Sequence, residues 1–309
     1  MFFRTFQFKL LNRLRHFHIG MAGRFQHWEA QVLEKEIPRL ILASEAQRFP
    51  KKDVEVHMLV GKRTWLMALW AAKSFQWATE CCWSFVFQDD GTLGDAEMQA
   101  LRRLFPMGVV KSRAEADAEI EGRLAGHPAC LAARRKHVMF LKLFDPYFYS
   151  TKADRFILLD SDVLFFQMPE EILNWVEAKN PEFLFNPDVK DSYSIPVSEL
   201  EAYFGGKILR HANAGLALIP RFGVSLDLIE EYLVRFEIES RHDLWLEQTA
   251  YALLASKWGG GAALLPDNYE ISFGAERQKG CVARHYVGTH DSRPHFFREG
   301  VIGLSKELL

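Results

Sequence analysis

The chain has 309 residues, of which 49% are hydrophobic, and 38 basic residues balance 40 acidic ones to a formal net charge of −2. This length and composition fit one large globular domain or two modest ones. The balanced charge lacks the basic excess of a nucleic-acid-binding protein, so no nucleic-acid partner is expected. Four cysteines without a CxxC motif indicate a reduced, cytoplasmic protein rather than a disulfide scaffold: Cys81, Cys82, Cys130 and Cys281.

Residues 1–50 predict a basic N-terminal arm and a lead-in helix. Residues 1–20, MFFRTFQFKLLNRLRHFHIG, contain four Lys or Arg residues and no acidic residue. The apolar run is interrupted too often for a signal sequence or a spanning helix. The segment either packs as a terminal arm or contacts an anionic membrane surface peripherally. From Arg24 to Phe49 the apolar spacing predicts a helix that Pro38 interrupts.

The next part of the chain alternates strand and helix patterns. VEVHMLVG, CWSFVFQDDG and GVVKS read as strands, and TWLMALWAAKSF and GDAEMQALRRLF read as the helices between them. CLAARRKHVMFLKLFDPYF then predicts one long helix, on which Arg135 and Lys142 are two turns apart and share a face. This helix leads to the apolar segment FILLDSDVLFF. Alternation at this length predicts an α/β fold with a mainly parallel, doubly wound sheet flanked by helices, and ligands at the carboxyl ends of its strands.

The remaining elements continue without a linker. A helix is predicted from Pro169 to Ala178, followed by strands EFLFNP and ANAGLALIP. Two helical segments follow, DLIEEYLVRF and LWLEQTAYALLASK, and the chain closes with AALLPDNYEIS and ARHYVGTHDSRPHFF. Because no repeat or low-complexity stretch divides these elements, residues 51–309 are expected to form one catalytic domain.

Two carboxylates interrupt the apolar segment FILLDSDVLFF, at Asp160 and Asp162. In extended chain, residues two apart point to the same side, so the two carboxylates are expected to converge. Such a pair suits one divalent cation, Mg²⁺ or Mn²⁺, with coordination positions left for phosphate oxygens. The alternative is an Asp pair that caps a turn at the end of the strand.

A phosphatase reading of the acidic segments is weaker. FVFQDDGTL is similar to the haloacid-dehalogenase signature, but Gln88 stands where that signature needs its nucleophilic aspartate. DSDVL at Asp160 fits the signature locally, although no later pair of acidic residues completes its metal site.

In the order of its motifs the chain resembles the family 8 glycosyltransferases, the group of glycogenin and the lipopolysaccharide galactosyltransferases. The similarity spans Val54 to Phe297, and its motifs are LLDSDVLFF for the acidic DxD motif, NAGLALIP, LEQTAYALL and HYVG. The resemblance implies a GT-A fold, in which Asp160, Asp162 and His285 bind the metal that bridges a nucleotide diphosphate. Because an imidazole ligand favours Mn²⁺ over Mg²⁺, Mn²⁺ is the expected ion and Mg²⁺ the alternative.

The same resemblance assigns residues to the donor sugar. Asn213, Ala214 and Gly215 are expected to line the sugar, where a residue without Cβ lets a ligand approach the backbone. A simple turn before LALIP is the alternative. Glu247 and Gln248, at the start of a helix, are expected to lie beside the reacting carbon of the sugar, although an exposed helix start would show the same residues.

Other residues are expected to bind the nucleotide. Asp89 or Asp90 would contact the base, or else form an ordinary DDG turn. Lys142, Gly288 of HYVG and Arg293 would lie near the diphosphate. Arg293 stands in place of the lysine in the Gly-x-x-Lys-Pro-Trp motif of the family, after a longer spacer, so its register differs from the family pattern.

The sequence thus predicts a metal-dependent hexosyltransferase that uses a nucleotide-sugar donor, expected to be a UDP-sugar, and that retains the anomeric configuration. Its acceptor, a saccharide, a lipid or a protein, is left undefined. A nucleotidyltransferase or phosphatase with a similar acidic metal site is the alternative enzyme. A catalytically silent sugar-nucleotide-binding protein is the alternative outside the enzymes.

Overall fold

The computed structural model describes residue 36 and residues 38–150, 153–241, 245–287 and 292–309. The predicted basic arm and most of the lead-in helix therefore lie outside the described residues, and so does Gly288. Pro38–Ala43 forms a short 3₁₀ helix, and residues 45–50 have no regular structure, so the prediction of helix up to Phe49 is wrong. In the described part of the chain, no helix has the length and apolar composition needed to cross a membrane.

The described residues contain ten strands in two sheets. The larger sheet has the order β3-β2-β1-β4-β7-β6-β8, and the smaller has the order β5-β10-β9. The strands are β1 Lys51–Val60, β2 Cys82–Asp89, β3 Val109–Lys111, β4 Arg155–Leu159, β5 Val163–Phe165, β6 Phe183–Pro187, β7 Ala212–Pro220, β8 Ala262–Leu264, β9 Tyr269–Ile271 and β10 Ala283–His285. Within the large sheet β7 is antiparallel to β4 and β6, and the other neighbouring pairs are parallel. The predicted α/β, mainly parallel sheet is confirmed.

Helices cover the sheet on both faces. They are α1 Trp65–Thr79, α2 Asp95–Leu104, α3 Arg113–Ile120, α4 Pro128–Lys136, α5 Leu141–Tyr149, α6 Glu170–Glu177, α7 Val197–Phe204, α8 Leu226–Arg235, α9 Leu246–Lys257 and α10 Ile302–Leu308. A π-helix, Phe296–Val301, precedes α10. Helix α7 follows Pro196 and was not predicted from the sequence.

Strand β4 shows why the sheet is buried on both sides. Phe156 and Leu158 pack in one hydrophobic cluster, and Ile157 and Leu159 pack in the other, each at most 1% exposed. Full burial of one such side chain stabilises a fold by about 1.5–3 kcal/mol. A strand with apolar residues at successive positions therefore becomes a central strand, and it delivers the chain to the carboxyl edge of the sheet at Asp160.

The predicted long helix before β4 is two helices. Helix α4 ends at Lys136, His137 is extended with φ −116° and ψ 110°, and α5 begins at Leu141 after a 3₁₀ turn. The break separates the two basic residues that were expected to share a face. Arg135 is exposed and pairs with Glu121, whereas Lys142 is buried. Local spacing could not predict this break, because the packing of each half against a different neighbour decides it.

Candidate metal centre

The two acidic residues lie in a turn between the two sheets. FILLDSDVLFF is not one strand, since β4 ends at Leu159, residues 160–162 turn, and β5 begins at Val163 in the small sheet. The backbone N–H of Asp160 donates to the carbonyl of Gly215 at 2.7 Å, and the N–H of Tyr286 donates to the carbonyl of Asp162 at 2.8 Å. The convergence of the carboxylates is confirmed. However, it results from these hydrogen bonds to β7 and to the end of β10, and not from an extended chain.

Strand β10 brings His285 to the acidic turn. The Nε2 atom of His285 lies 3.2 Å from Oδ1 of Asp162 and 4.0 Å from Oδ2 of Asp160. One potential ligand atom from each of these three residues lies within 4.8 Å of the others. His285 is buried, and the two carboxylates are partly exposed. One imidazole and two carboxylates thus face a common point that remains open on one side.

Hydrogen bonds fix which nitrogen of His285 faces the carboxylates. The Asn213 Oδ1 atom accepts the backbone N–H of Gly215 at 2.9 Å, which orients the Asn213 amide, and it lies 2.9 Å from His285 Nδ1. Because a carbonyl oxygen only accepts, Nδ1 carries a hydrogen, and the neutral ring presents the lone pair of Nε2 to the two carboxylates.

Lys142 pairs with Asp160 at 2.6 Å, which leaves one negative charge of the two carboxylates to be balanced. Burial lowers the pKa of His285, but Asp162 and Asp160 outweigh burial and raise the pKa above its usual value. A proton on Nε2 is one way to balance the carboxylates. A divalent ion is the other, and one nitrogen and two oxygen ligands suit Mn²⁺ better than Mg²⁺. The residues present therefore fit a divalent metal.

The imidazole ring of His285 occupies the space that a side chain at Gly215 would fill. A Cβ atom on Gly215 would lie 2.2 Å from Cε1 and 2.5 Å from Nδ1 of His285, far inside ordinary contact distance. The sequence interpretation assigned this glycine to the approach of a sugar. In the structure, the group that requires the absence of Cβ is the imidazole ring of His285.

Lys142 extends the site beneath the acidic turn. Its Nζ donates to Asp160 Oδ1 at 2.6 Å and to the carbonyl of Ala214 at 3.2 Å, and it lies 4.0 Å from a carboxylate oxygen of Glu247. Burial lowers the pKa of Lys142, but the charges of Asp160 and Glu247 outweigh burial and raise it. Lys142 therefore stays charged and links Asp160 to the start of helix α9.

Glu247 and Gln248 are both buried at the start of α9. One carboxylate oxygen of Glu247, Oε2, is buried without a hydrogen-bond partner. Burial raises the pKa of Glu247 to about 7 against the opposing effect of Lys142, with a smaller increase from Asp160. Both ends of the Gln248 amide are occupied, since Oε1 accepts the N–H of Ala214 at 3.0 Å and Nε2 donates to the carbonyl of Ser192 at 2.8 Å. The alternative of an exposed helix start is therefore wrong, and the place of these two residues beside a donor sugar stays a prediction.

The residues predicted to contact the base lie at the carboxyl end of β2. Asp89 Oδ1 accepts the backbone N–H groups of residues 91–93, and Asp90 Oδ1 accepts the hydroxyl of Thr92 at 2.5 Å. A Cβ atom on Gly61 would lie 1.9 Å from Asp90 Oδ2, so the end of β1 leaves room for Asp90. These contacts define an ordered DDG turn, and contact with a base stays a prediction.

The position of Arg293 beside the diphosphate stays a prediction, and one neighbour of the site was missed by the sequence interpretation. Arg293, in the helical turn before the π-helix, has a buried Nε without a hydrogen-bond partner. Asp188 was not predicted. It follows β6, and its Oδ2 accepts from Asn213 Nδ2 at 3.3 Å. Its place at the carboxyl end of a predicted strand was the signal that could have identified it.

Comparison with known proteins identifies the fold. No protein-family model and no curated protein matches the sequence. The solved structure of the galactosyltransferase LgtC with donor and acceptor sugar analogues matches with a TM-score of 0.55 and 16% identity, over 81% of this chain and 95% of LgtC. Mouse xyloside xylosyltransferase 1 matches with a TM-score of 0.54 and 11% identity, over 77% of this chain and 98% of that one. The bifunctional glycosyltransferase WbbM matches with a TM-score of 0.52 and 11% identity, over 86% of this chain and 52% of WbbM. The chain therefore has the GT-A glycosyltransferase fold, as the resemblance implied.

Proposed function

We propose that this protein is a metal-dependent glycosyltransferase that moves a sugar from a UDP-sugar to an acceptor hydroxyl with retention of configuration. The observation that carries the proposal is the convergence of Asp160, Asp162 and His285 at the carboxyl edge of a GT-A sheet. The matched structures are named as galactosyl- and xylosyltransferases, which supports sugar transfer. The choice of UDP and the retention of configuration rest on the resemblance to family 8.

Asp160, Asp162 and His285 would hold the metal, Mn²⁺ or Mg²⁺. When bound, the ion supplies positive charge that stabilises a nucleotide diphosphate as a leaving group. Asn213 fixes the orientation of His285 and so prepares the third ligand. Arg293, with an unpartnered buried Nε, would add a donor to the diphosphate oxygens, while Gly288 of HYVG would adjoin them.

The start of α9 would hold the donor sugar. The unpartnered Oε2 of Glu247 is a buried acceptor, and hydroxyl groups of a sugar are donors that would satisfy it. Gln248 holds the backbone of Ala214 beside the metal centre, and we propose that it acts next to the reacting carbon of the sugar. A structure of LgtC with an active-site glutamine changed to glutamate shows that a glutamine serves in the active site of that protein.

A thermal-shift screen of UDP- and GDP-sugars, with and without Mn²⁺, tests the proposal. A ligand at one hundred times its Kd stabilises the native state by about 2.7 kcal/mol, so one UDP-sugar should raise Tm only when Mn²⁺ is present. The Asp162→Asn variant is the control, since its response to the same pair should disappear. Absence of any metal-dependent stabilisation by a nucleotide sugar would contradict the proposal.

Product analysis separates the alternatives. A glycosyltransferase releases UDP and forms a glycoside, whereas a phosphatase releases inorganic phosphate and a nucleotidyltransferase exchanges pyrophosphate. A catalytically silent protein would bind the UDP-sugar with Mn²⁺ but would form none of these products.

A peripheral membrane contact through residues 1–20 is a separate proposal, which rests on their sequence alone. The basic and aromatic composition should favour anionic lipid, in a salt-dependent manner. The full chain and a chain without residues 1–20 can be compared by sedimentation with anionic vesicles. Equal sedimentation of both would contradict the proposal.

A further inference from the structure

The π-helix Phe296–Val301 packs against the small sheet that carries the candidate metal site. Gly300 faces Leu164 of β5, and a Cβ atom on Gly300 would lie 1.9 Å from Cδ1 of that leucine. Phe296 packs edge to face on Tyr286, the residue after β10, with ring centroids 5.5 Å apart. The π-helix therefore contacts both strands that adjoin the residues of the candidate metal site.

Glu299 joins this π-helix to strand β10. Its Oε2 atom accepts from Nη1 of Arg284 at 2.7 Å and from the hydroxyl of Tyr286 at 3.2 Å. These two residues flank His285, and because side chains alternate along a strand they lie on its other face. Arg284 is 1% exposed, and its other acidic partner, Glu270, lies at 3.5 Å. Glu299 is thus the closer of the two acids that pair with this buried guanidinium.

The second oxygen of Glu299 contacts the helical turn Arg293–His295. Its Oε1 atom lies 2.8 Å from Nδ1 of His295, four residues earlier in the chain. Among the described residues, no acceptor contacts the buried Nε of Arg293. Because one carboxylate bonds to both segments, the place of Arg293 relative to β10 depends on Glu299.

We propose that Glu299 is a positioning residue for nucleotide binding, which holds the turn of Arg293 in a fixed place relative to His285. The inference rests on the proposed function, in which a nucleotide diphosphate lies between the metal and Arg293. Such a ligand needs both groups at one separation. A contact that sets this separation in the folded protein raises affinity, because the turn is already ordered before the ligand binds.

A double-mutant cycle on nucleotide affinity tests the inference without relying on turnover. UDP would be titrated with Mn²⁺ into the full chain by calorimetry, for wild type, Arg293→Ala, His295→Phe and the double variant. His295→Phe removes the contact with Glu299 and leaves Glu299 paired with the buried Arg284. Arg293→Ala should weaken binding about tenfold in wild type, as for loss of a hydrogen bond to a charged group. In His295→Phe the same change should cost less than about threefold, because the effects of residues that act through one network are not additive.

Two substitutions of Glu299 separate its position from its charge. Glu299→Ala should weaken UDP binding about tenfold, the low end of the range for loss of an orienting contact around a metal. Glu299→Gln should keep most of the affinity, because an amide of the same shape still offers an acceptor to Arg284 and a donor to the neutral ring of His295. Glu307→Ala, at an exposed acid of α10, is the matched control and should bind UDP as wild type does.

An equal effect of Arg293→Ala in wild type and in His295→Phe would overturn the inference, and so would wild-type UDP affinity in Glu299→Ala. Either result would leave the proposed function intact, since wild type still binds UDP with Mn²⁺. Absence of Mn²⁺-dependent UDP binding by wild type would instead reject the proposed function and this inference with it.

Discussion

Substitution of Gly215 by alanine tests whether this glycine serves the metal centre. The new Cβ would lie 2.2 Å from Cε1 and 2.5 Å from Nδ1 of His285, whereas carbon atoms in contact are separated by about 3.5–4.0 Å. The ring must therefore move by about 1 Å, although its Nδ1 is held 2.9 Å from Asn213 Oδ1. Metal–ligand distances tolerate about 0.2 Å, so the displaced Nε2 would no longer serve as a ligand.

We expect Gly215→Ala to weaken Mn²⁺ binding by at least about 10- to 100-fold, the range for loss of an orienting contact around a metal. The backbone itself should accept alanine, because Gly215 does not have a positive φ. Calorimetry of Mn²⁺ with UDP measures the affinity, and circular dichroism checks the fold. Gly122→Ala is the matched control, since a Cβ there meets no atom within 4 Å. Wild-type Mn²⁺ affinity in a folded Gly215→Ala protein would refute this account of the site.

Three further substitutions separate the roles of the site residues. Asp162→Asn should abolish Mn²⁺-dependent nucleotide binding and transfer with little change in Tm, and calorimetry that shows unchanged affinity would reject this ligand. As the pH rises from 5 to 8, the free energy of unfolding of the metal-free wild type should fall by about 2 kcal/mol relative to that of Glu247→Gln. The Glu247 carboxyl has a pKa of about 7 in the folded wild type and about 4.3 in the unfolded chain, so wild type loses stability as pH rises through this window. Denaturant unfolding measured at each pH gives the two free energies, and an equal pH dependence in both proteins would contradict this prediction. Gln248→Ala should lower kcat about 10- to 1000-fold with a much smaller change in donor Kd, and wild-type turnover would leave Gln248 a purely structural role.

The sequence by itself determined the order and type of most elements. Apolar periodicity reports which face of a helix or strand is buried, and this is a local property of the chain. The run FILL in β4, for example, is apolar at each position because both faces of a central strand are covered. Helix α7 was missed, since its sequence VSELEAYF is short and only Leu200 is buried.

The residues of the candidate metal site were predicted from the order of motifs, but their arrangement was not. Asp160 and Asp162 follow one strand, and His285 ends another more than 120 residues later. Their convergence depends on hydrogen bonds to β7 and to the end of β10, which no local pattern reports. The extended-chain argument for the acidic pair was therefore wrong in its geometry.

Only the tertiary structure decided which contacts the residues around the candidate metal site make. Packing broke the predicted long helix at His137 and so buried Lys142 against Asp160 while Arg135 stayed exposed. Packing also places the His285 ring in the space that a Cβ on Gly215 would occupy, and it places Asp188 within hydrogen-bond distance of Asn213. These outcomes depend on contacts between segments far apart in the chain, whereas residue type and spacing encode only the conformation that each segment favours locally.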